Sequence, residues 1–152
     1  MDWTRSPYAI STDPSRLQRE TIHAFLANSY WAKGIPRDVL DRAIANSISF
    51  GLFEDDRQIG FARAVTDRAT YAYLADVFVL PSHRGRGLGT WLVEVVLSHP
   101  ELSGLRRWGL VTRDAHGLYS RSGFTPLSHP ERHMEITDPS IYLRPAGTAA
   151  DR

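Results

Sequence analysis

The sequence predicts an α+β domain with a mixed β-sheet, and two patterns along the chain lead to this prediction. Residues 48–81 contain three apolar runs separated by the polar spacers EDDRQ and TDRAT, which is typical of an antiparallel meander. The chain then reads strand, helix, strand, and a crossover of this kind makes its two strands parallel or splayed. A sheet with both kinds of neighbour, accompanied by helices, is the mixed sheet of an α+β domain.

Composition predicts one domain and excludes several classes of partner. A chain of 152 residues with 42% hydrophobic and 23% charged residues is ordinary for one globular domain. We expect that domain over residues 1–145 and a frayed tail over residues 146–152. The formal net charge of +1 predicts no nucleic acid and no membrane as a partner, so an anion site should be local.

The absence of cysteine narrows the chemistry further. With no cysteine in the chain, disulfides, thiolate nucleophiles and cysteine-based zinc sites are excluded. The six histidines show no zinc-binding spacing, so no metal is expected. We find no signal-peptide pattern and no apolar run near the roughly 18 residues that a membrane span needs. A cytoplasmic location is therefore the expectation.

The first part of the chain predicts one strand and two helices. A short strand is expected over Tyr8–Ser11. Asp13 as N-cap and Pro14 at the first helical position predict a helix over residues 14–28. Pro36 begins a second, short helix in the same way. Its expected apolar face consists of Val39, Leu40, Ala43 and Ile44.

After the meander, which ends at Pro81, a helix is expected at about residues 87–98, followed by a strand in LRRWGLVT. The segment DAHGLYSRSGF predicts a short helix with Asp114 as N-cap and Gly123 as its stop. Phe124 is then expected to fold back on Leu118 or Tyr119. The next segment, TPLSHPERHMEIT, is expected to form a final strand pair, or a strand plus loop.

The junction between the third meander strand and the next helix carries the strongest functional pattern, HRGRGLGTW. Arg84, Gly87 and Gly89 form R-x-x-G-x-G there. Glycine permits positive φ and close approach of a ligand, and the first amides of a helix have no intrahelical partners. Residues 77–93 contain no Asp or Glu, so the junction predicts an anion site. A Walker loop is excluded because the lysine is missing. A dinucleotide fingerprint is excluded because no acid stands at the required position.

The segment DVFVLPSHRGRGLGTWL resembles the acyl-CoA signature of the Gcn5-related N-acetyltransferases, the GNAT family, and the resemblance extends from about Ser49 to Phe124. It implies a GNAT-like, mostly antiparallel sheet with helices on both faces, and acetyl-CoA as co-substrate. The amides of residues 85–90 would bind the diphosphate, and the main chain of β-strand residues would pair with the pantetheine arm. The implied cofactor-binding residues are Val77, Phe78, Val79, Arg84, Gly85, Arg86, Gly87, Leu88, Gly89 and Thr90. The alternative role for Arg86 is equally favoured: its charged side chain would lie in solvent and take no part in binding.

For catalysis, the resemblance assigns Tyr119 as the proton donor to the departing thiolate and the amide of Val77 as the group that polarises the thioester. Packing on Phe124 is the alternative role for Tyr119. The positions where family members place a glutamate base hold Ala75 and Tyr73.

The general base therefore stays open. Asp76 is a candidate base or amine-binding group, although strand alternation predicts that it faces away from Ala75 and Val77. A structural hydrogen bond is the alternative role for Asp76. Water, Glu135 and His133 are further candidates for the base, and His116 is expected to be a capping or surface residue.

Aromatic residues predict the acceptor site, namely Tyr30, Trp31, Tyr71 and Tyr73. They could hold an alkyl or aryl amine and its cation, or equally belong to a core or dimer surface. The sequence thus predicts an acetyl-CoA-dependent N-acetyltransferase that acts directly on a primary amine, small-molecule or peptide. The alternatives are a non-catalytic acyl-CoA sensor or regulatory domain and, less favoured, a nucleic-acid binder built on HRGRG. A homodimer is left open.

Overall fold

The computed structural model describes residues 1–145; the predicted tail at residues 146–152 lies outside them. In this range six strands form one sheet in chain order, antiparallel except for the last pair. The strands are β1 (Asp2–Arg5), β2 (Tyr8–Ser11), β3 (Ile48–Glu54), β4 (Arg57–Thr66), β5 (Tyr71–Val79) and β6 (Arg107–Gly109). The helices are α1 (Arg19–Ala27), α2 (Arg37–Ala45), α3 (Leu88–Ser98) and α4 (His116–Ser120). The predicted α+β class with a mixed sheet is confirmed.

Helices cover both faces of the sheet because the strands are apolar on both sides. Phe61 of β4 packs with the buried residues of α1 and α2, whereas its neighbour Ala62 packs with those of α3. Successive residues of a strand point to opposite faces, so these two clusters lie on opposite sides. The prediction of helices on both faces is confirmed. Within residues 1–145, no helix has both the length and the apolar character that crossing a membrane would require.

The first helix begins later than predicted. Asp13 caps a short 3-10 turn, Pro14–Arg16, through a 2.9 Å bond from the Ser15 amide, and α1 starts only at Arg19. The break arises because Gln18 pairs with the buried Gln58, whose side-chain oxygen accepts the Gln18 amide at 2.7 Å. A tertiary hydrogen bond thus overrides a helical pattern, and no local signal could have revealed it.

The second half of the chain holds three further differences. Strand β6 is only three residues long. Ala115 rather than Asp114 stands at the start of α4, and its amide donates to the Thr112 hydroxyl at 3.0 Å. In the described residues after α4, only 3-10 turns form, so the expected final strands are absent there. The glycine stop is confirmed: Gly123 has a φ of 99° and the Phe124 amide donates to the Tyr119 carbonyl at 3.2 Å.

Strands β5 and β6 separate after a short parallel contact, and this separation positions the site. They pair only from Tyr71 to Tyr73 of β5, so residues 74–79 have no strand on that edge within the described chain. On the other edge, against β4, the register advances by two residues in β4 and by three in β5. Ala62 therefore faces both Asp76 and Val77, which is a β-bulge.

Candidate active site

A cleft of about 1130 Å³ opens where β5 and β6 separate. Its volume lies slightly above the roughly 300–1,000 Å³ that is usual for a small-molecule site, so it can hold a large ligand. One side, here called the loop side, consists of residues 77–79, 83–85 and 87–90. The opposite side, the aromatic side, consists of Tyr30, Trp31, Arg63, Tyr73 and Asp76. Helix α4 closes the cleft with Leu118 and Tyr119.

The loop side is built from main chain. Gly85 and Gly87 have φ angles of 78° and 74°, and Gly87 immediately precedes α3 in the left-handed conformation, where a side chain is strained. The first main-chain bond of α3 runs from the Trp91 amide to the Gly87 carbonyl. Within residues 1–145, the amides of residues 85–90 donate no hydrogen bond, and the first helical turn holds no acidic residue. Such amides attract an anion, so the residues present fit a diphosphate.

Side chains behind the loop hold it against the sheet. The Arg84 Nε donates to the Val79 carbonyl at 3.0 Å. The buried His83 lies with Nε2 2.6 Å from a carboxylate oxygen of Glu54 and with Nδ1 2.8 Å from the Ser82 hydroxyl. The hydrogen bond with His83 lowers the pKa of Glu54 below its ordinary value. The loop conformation therefore depends on β3 and β5 as well as on its own glycines.

The remaining predicted residues of the loop side divide into two groups. Val77, Phe78, Val79, Arg84, Leu88, Gly89 and Thr90 line the cleft. Arg86 is not among the lining residues, because its guanidinium donates to the hydroxyl of Tyr8 on β2 at 2.8 Å. The structure thus supplies an internal partner for Arg86.

Asp76 occupies an unusual position on the aromatic side. Its φ is 55°, in the left-handed region, and its carboxylate accepts from Arg63 Nε at 2.8 Å and from the Trp31 indole at 3.0 Å. Its side chain is only 9% exposed. Val77 packs with the cluster on the α3 side of the sheet, whereas Asp76 bonds to Trp31, whose ring lies beside Phe25 of the cluster on the other side. Asp76 and Val77 therefore face opposite sides, as alternation predicts, and both line the cleft together with Ala75.

Tyr119 is half-buried on the floor of the cleft. Its ring packs edge-on against Phe124 with 6.0 Å between centroids, as the alternative role required, and its side chain lines the cleft as well. Burial, followed by the proximity of Tyr30 and Tyr73, raises the pKa of Tyr119 to about 12. The phenol therefore keeps its proton over the ordinary pH range.

The predicted aromatic residues come together from distant parts of the chain. Tyr30, Trp31 and Tyr73 line the cleft, and Tyr30 and Trp31 lie edge to face with 5.2 Å between centroids. Burial raises the pKa of Tyr73. Tyr71 is not among the lining residues; its hydroxyl lies over Gly109, where a Cβ would come within 2.5 Å of it.

Three residues of the site were missed by sequence reasoning. The Arg113 guanidinium lies 3.8 Å from the Tyr30 ring centroid, and the main-chain amide of Arg113 donates to the Tyr30 hydroxyl at 3.1 Å. Tyr142 reaches the cleft because the turn Ile141–Leu143 packs on Gly34. Arg63, which pairs with Asp76, had one signal in the sequence, a charged residue inside the apolar run QIGFARAVT. The other two had none.

The remaining candidates for the base do not line the cleft. Glu135, His133 and His116 are all exposed outside it. Within residues 1–145, no three His, Asp or Glu side chains lie close enough together to hold a metal ion. Among the described residues, the cleft therefore offers amide donors, a neutral phenol and an aromatic wall, and its one largely buried carboxylate, that of Asp76, is already paired.

Comparison with known proteins agrees with this geometry. The family model described as Acetyltransferase (GNAT) family matches residues 14–124. A candidate acetyltransferase of Gibberella zeae is 35% identical, over 80% of each chain. The crystal structure of a candidate GNAT acetyltransferase from Xanthomonas campestris pv. campestris is 51% identical with a TM-score of 0.88, covering 90% of this chain and 97% of that one.

More distant structures share the fold. A candidate acetyltransferase from Clostridium acetobutylicum, solved with acetyl-CoA, superposes with a TM-score of 0.61 at 14% identity, covering 90% of this chain and 96% of that one. The family match, the relatives and the splayed sheet agree on one conclusion: the chain belongs to the GNAT family of acetyltransferases.

Proposed function

We propose that this acetyltransferase moves the acetyl group of acetyl-CoA directly to a primary amine, and that the residues of the cleft divide the work between its two sides. The observation that carries the proposal is that, within residues 1–145, the amides of residues 85–90 and the adjoining edge of β5 have no hydrogen-bond partner. A diphosphate and an extended pantetheine arm are the two parts of CoA that such features accept. The acetyl thioester supplies the electrophilic carbon when it is bound.

On the loop side, the amides of Gly85, Gly87, Leu88, Gly89 and Thr90 would hold the diphosphate. The main chain of Val77 and Val79 would pair with the pantetheine arm as an added strand. Arg84 is already oriented by its bond to the Val79 carbonyl, so it can contribute charge at little entropic cost. Arg86 is proposed to act through Tyr8 and to hold the loop from behind.

We assign Tyr119 as the acid that protonates the departing thiolate. A general acid must be protonated before the step, and the raised pKa of about 12 keeps the phenol neutral. A hydrogen bond to a group that gains charge, such as the departing thiolate, is stronger when water is excluded. A half-buried phenol is therefore well suited to donate it. Packing on Phe124 fixes the ring, so both predicted roles of Tyr119 are compatible.

For Asp76 we propose a positioning role. The left-handed backbone of Asp76 turns the next peptide, and the amide of Val77 is the donor proposed to polarise the thioester carbonyl. Arg63 and Trp31 hold the Asp76 carboxylate and thereby hold the bulge. Because both carboxylate oxygens already accept hydrogen bonds, we propose that water in the open cleft, rather than Asp76, removes the proton of the amine.

The acceptor is proposed to be a small-molecule or peptide amine that enters along Tyr30, Trp31 and Tyr73. Ring faces at a cleft bind alkyl or aryl groups, and they attract a cation. The Arg113 guanidinium already covers one face of Tyr30, which leaves Trp31 and Tyr73 for the acceptor. The cytoplasmic location stays a prediction from the cysteine-free sequence.

Thiol release from acetyl-CoA against a panel of amines tests the proposal. We expect turnover with at least one amine, and loss of that turnover in Tyr119→Phe. The paired state of Asp76 favours one competing function, an acyl-CoA sensor without catalysis. A sensor would bind acetyl-CoA tightly and release no thiol with any amine, so calorimetry on the same samples separates the two functions.

A further inference from the structure

The cleft exposes large apolar side chains to solvent. Tyr30 is 49% exposed and Trp31 is 42% exposed. Val111, on the segment that follows β6, also lines the cleft and is 82% exposed. Single exposed apolar residues are normal, whereas several that line one cleft indicate a surface that a ligand covers. The occupant of this part of the cleft should therefore present an apolar surface of its own.

The two exposed rings are held in place by contacts within the chain. The indole N–H of Trp31 donates to Asp76 at 3.0 Å, and the ring lies 6.2 Å from that of Phe25, measured between centroids. The Tyr30 hydroxyl accepts from the main-chain amide of Arg113 at 3.1 Å. A fixed flat surface binds a rigid flat group at little entropic cost, whereas a flexible alkyl chain loses rotational freedom there. The geometry therefore favours an aromatic ring over an alkyl chain.

Charges at the same surface distinguish a neutral amine from a cationic one. Among the described residues, both carboxylates that line the cleft already pair with an arginine. Asp76 lies 2.8 Å from Arg63, and Asp114 lies 3.6 Å from Arg113. The side chains of the second pair are 65% and 67% exposed, so solvent screens its charges. An ammonium would meet two guanidinium groups and no carboxylate of its own, which disfavours the charged form of the amine.

The reaction itself needs a neutral amine, because only a nitrogen lone pair can attack the thioester. An alkyl ammonium such as that of lysine has a pKa of about 10.4, so roughly one molecule in 2,500 is neutral at pH 7. An amine bonded directly to an aromatic ring is neutral at this pH, because the ring delocalises the lone pair that would take up a proton. Such an amine brings its lone pair to the cleft without help from a base.

We propose that the acceptor is an arylamine, in which the primary amine is bonded directly to an aromatic ring. The inference rests on the proposed acetyl transfer and names its substrate class. The ring packs against Trp31 and Tyr73, since Arg113 already covers one face of Tyr30. The cation that these rings attract is thus supplied by the protein, and the acceptor remains neutral.

Transfer to an arylamine balances in atoms and charge. The nitrogen lone pair forms the new bond to the acetyl carbon, and the carbon–sulfur bond breaks with its electron pair on sulfur. Tyr119 protonates the thiolate, and water takes the proton that the nitrogen loses. The products are an N-aryl acetamide and free CoA, and solvent restores the proton of Tyr119.

Thiol release from acetyl-CoA at pH 7, corrected for the rate without protein, tests the class with four compounds that carry a primary amino group. Aniline has a ring and a neutral amine, and benzylamine has a ring and an ammonium. Methoxyamine has a neutral amine without a ring, and propylamine has an ammonium without a ring. We expect kcat/KM for aniline to exceed that of each other compound by about tenfold or more, because both features contribute to binding.

The outcomes separate this inference from the proposed function. Any alkylamine that is turned over as fast as aniline would overturn the arylamine class, although acetyl transfer itself would stand. An equal rate with methoxyamine would overturn the part assigned to the aromatic rings. If no amine releases thiol while calorimetry shows bound acetyl-CoA, the proposed function fails and this inference fails with it.

A charge reversal at Arg113 tests why the neutral amine is preferred. Arg113→Glu removes one guanidinium, frees Asp114 and adds a carboxylate beside Tyr30. The ratio of kcat/KM for benzylamine to that for aniline should then rise by about tenfold or more. Arg113→Lys keeps the charge and should keep the ratio. Arg106→Glu reverses an exposed charge outside the cleft and is the matched control.

The ratio compares two substrates on one sample, so partial unfolding of a variant does not change it. A ratio in Arg113→Glu equal to that of the wild type would overturn the electrostatic selection of a neutral amine.

Discussion

The two sides of the cleft are made from different parts of the polypeptide. The loop side presents main-chain groups, namely the amides of residues 85–90 and the edge of β5 that pairs with no strand of the described chain. The aromatic side presents side chains from elements far apart in the chain, such as Trp31, Arg63 and Asp76. A main-chain site depends on local φ angles, so a short motif can encode it. A side-chain site depends on tertiary packing, so its residues are scattered and its specificity can change by substitution.

The largest expected effect is on the loop side, at Gly87. Gly87→Glu should abolish measurable binding of acetyl-CoA, because a side chain at a φ of 74° is strained by about 1–2 kcal/mol and the carboxylate repels a diphosphate. Calorimetry measures the loss. Gly104→Glu is the matched control, since Gly104 has the same φ and equally open surroundings but does not line the cleft. Equal affinity in both variants would remove the diphosphate from this loop.

Next in size is the change at Tyr119, which lies between the two sides. Tyr119→Phe keeps the contact with Phe124 and removes the acid, so kcat should fall by roughly 100-fold or more while acetyl-CoA affinity stays the same. Tyr71→Phe removes the hydroxyl of a β5 tyrosine that does not line the cleft, and it should leave kcat unchanged. Steady-state kinetics and calorimetry together make the comparison. Unchanged turnover in Tyr119→Phe would mean that another group protonates the thiolate.

The pH dependence of stability gives an independent check on Tyr119. Its pKa in the folded chain is raised above the ordinary value of 10.0 to about 12. Burial of the neutral phenol therefore has no pH-dependent cost below pH 10, and the contribution of this group to the free energy of unfolding is lost progressively as the pH rises from 10 towards 12. Denaturant unfolding across this window should show a steeper loss for the wild type than for Tyr119→Phe. Identical profiles would place the phenol in water.

A moderate effect is expected at Asp76, where a proton acceptor and a positioning residue behave differently. Asp76→Asn tolerates the left-handed backbone but weakens the bonds with Arg63 and Trp31, so kcat should fall by about tenfold at every pH. A positioning residue leaves the acid limb of the pH–rate profile in place. Disappearance of that limb in Asp76→Asn would instead make Asp76 the general base.

Trp31 should give the smallest effect and the sharpest test of the contact that joins the two sides. Trp31→Phe keeps an aromatic surface and removes only the indole N–H that donates to Asp76 at 3.0 Å. One hydrogen bond is worth about 1 kcal/mol, so kcat should fall about fivefold with the acceptor KM little changed. A large rise in KM with kcat intact would mean that the indole binds the acceptor and does not support the bulge.

Sequence reasoning predicted the glycine turn of the loop side and the start of the next helix because their determinants are local, and binding of the diphosphate by this turn stays a prediction. The nine residues HRGRGLGTW contain the three glycines and no acidic residue, and α3 begins within them at Leu88. The aromatic residues Tyr30, Trp31 and Tyr73 were also predicted to line the acceptor groove, and they do line the cleft. The left-handed backbone of Asp76 and its bonds with Arg63 and Trp31 were not predicted, because the bulge depends on the pairing of β5 with β4.

Errors in the fold have the same cause. The start of α1 moves because Gln18 pairs with Gln58, forty residues away in the chain. The last predicted strands fail to form in the described chain, although HMEIT has the alternation of a strand. A strand needs a neighbour, and within residues 1–145 no strand pairs with this segment.

The central claim is that main-chain amides of the loop side bind the diphosphate of CoA, and amide chemical shifts test it most directly. Titrate the isotope-labelled chain with CoA and, separately, with pantetheine, which lacks the diphosphate. The account predicts that CoA shifts the amides of residues 85–90 together with Val77 and Val79, whereas pantetheine shifts those of Val77 and Val79 alone. Saturation by CoA without any change at residues 85–90 would contradict it.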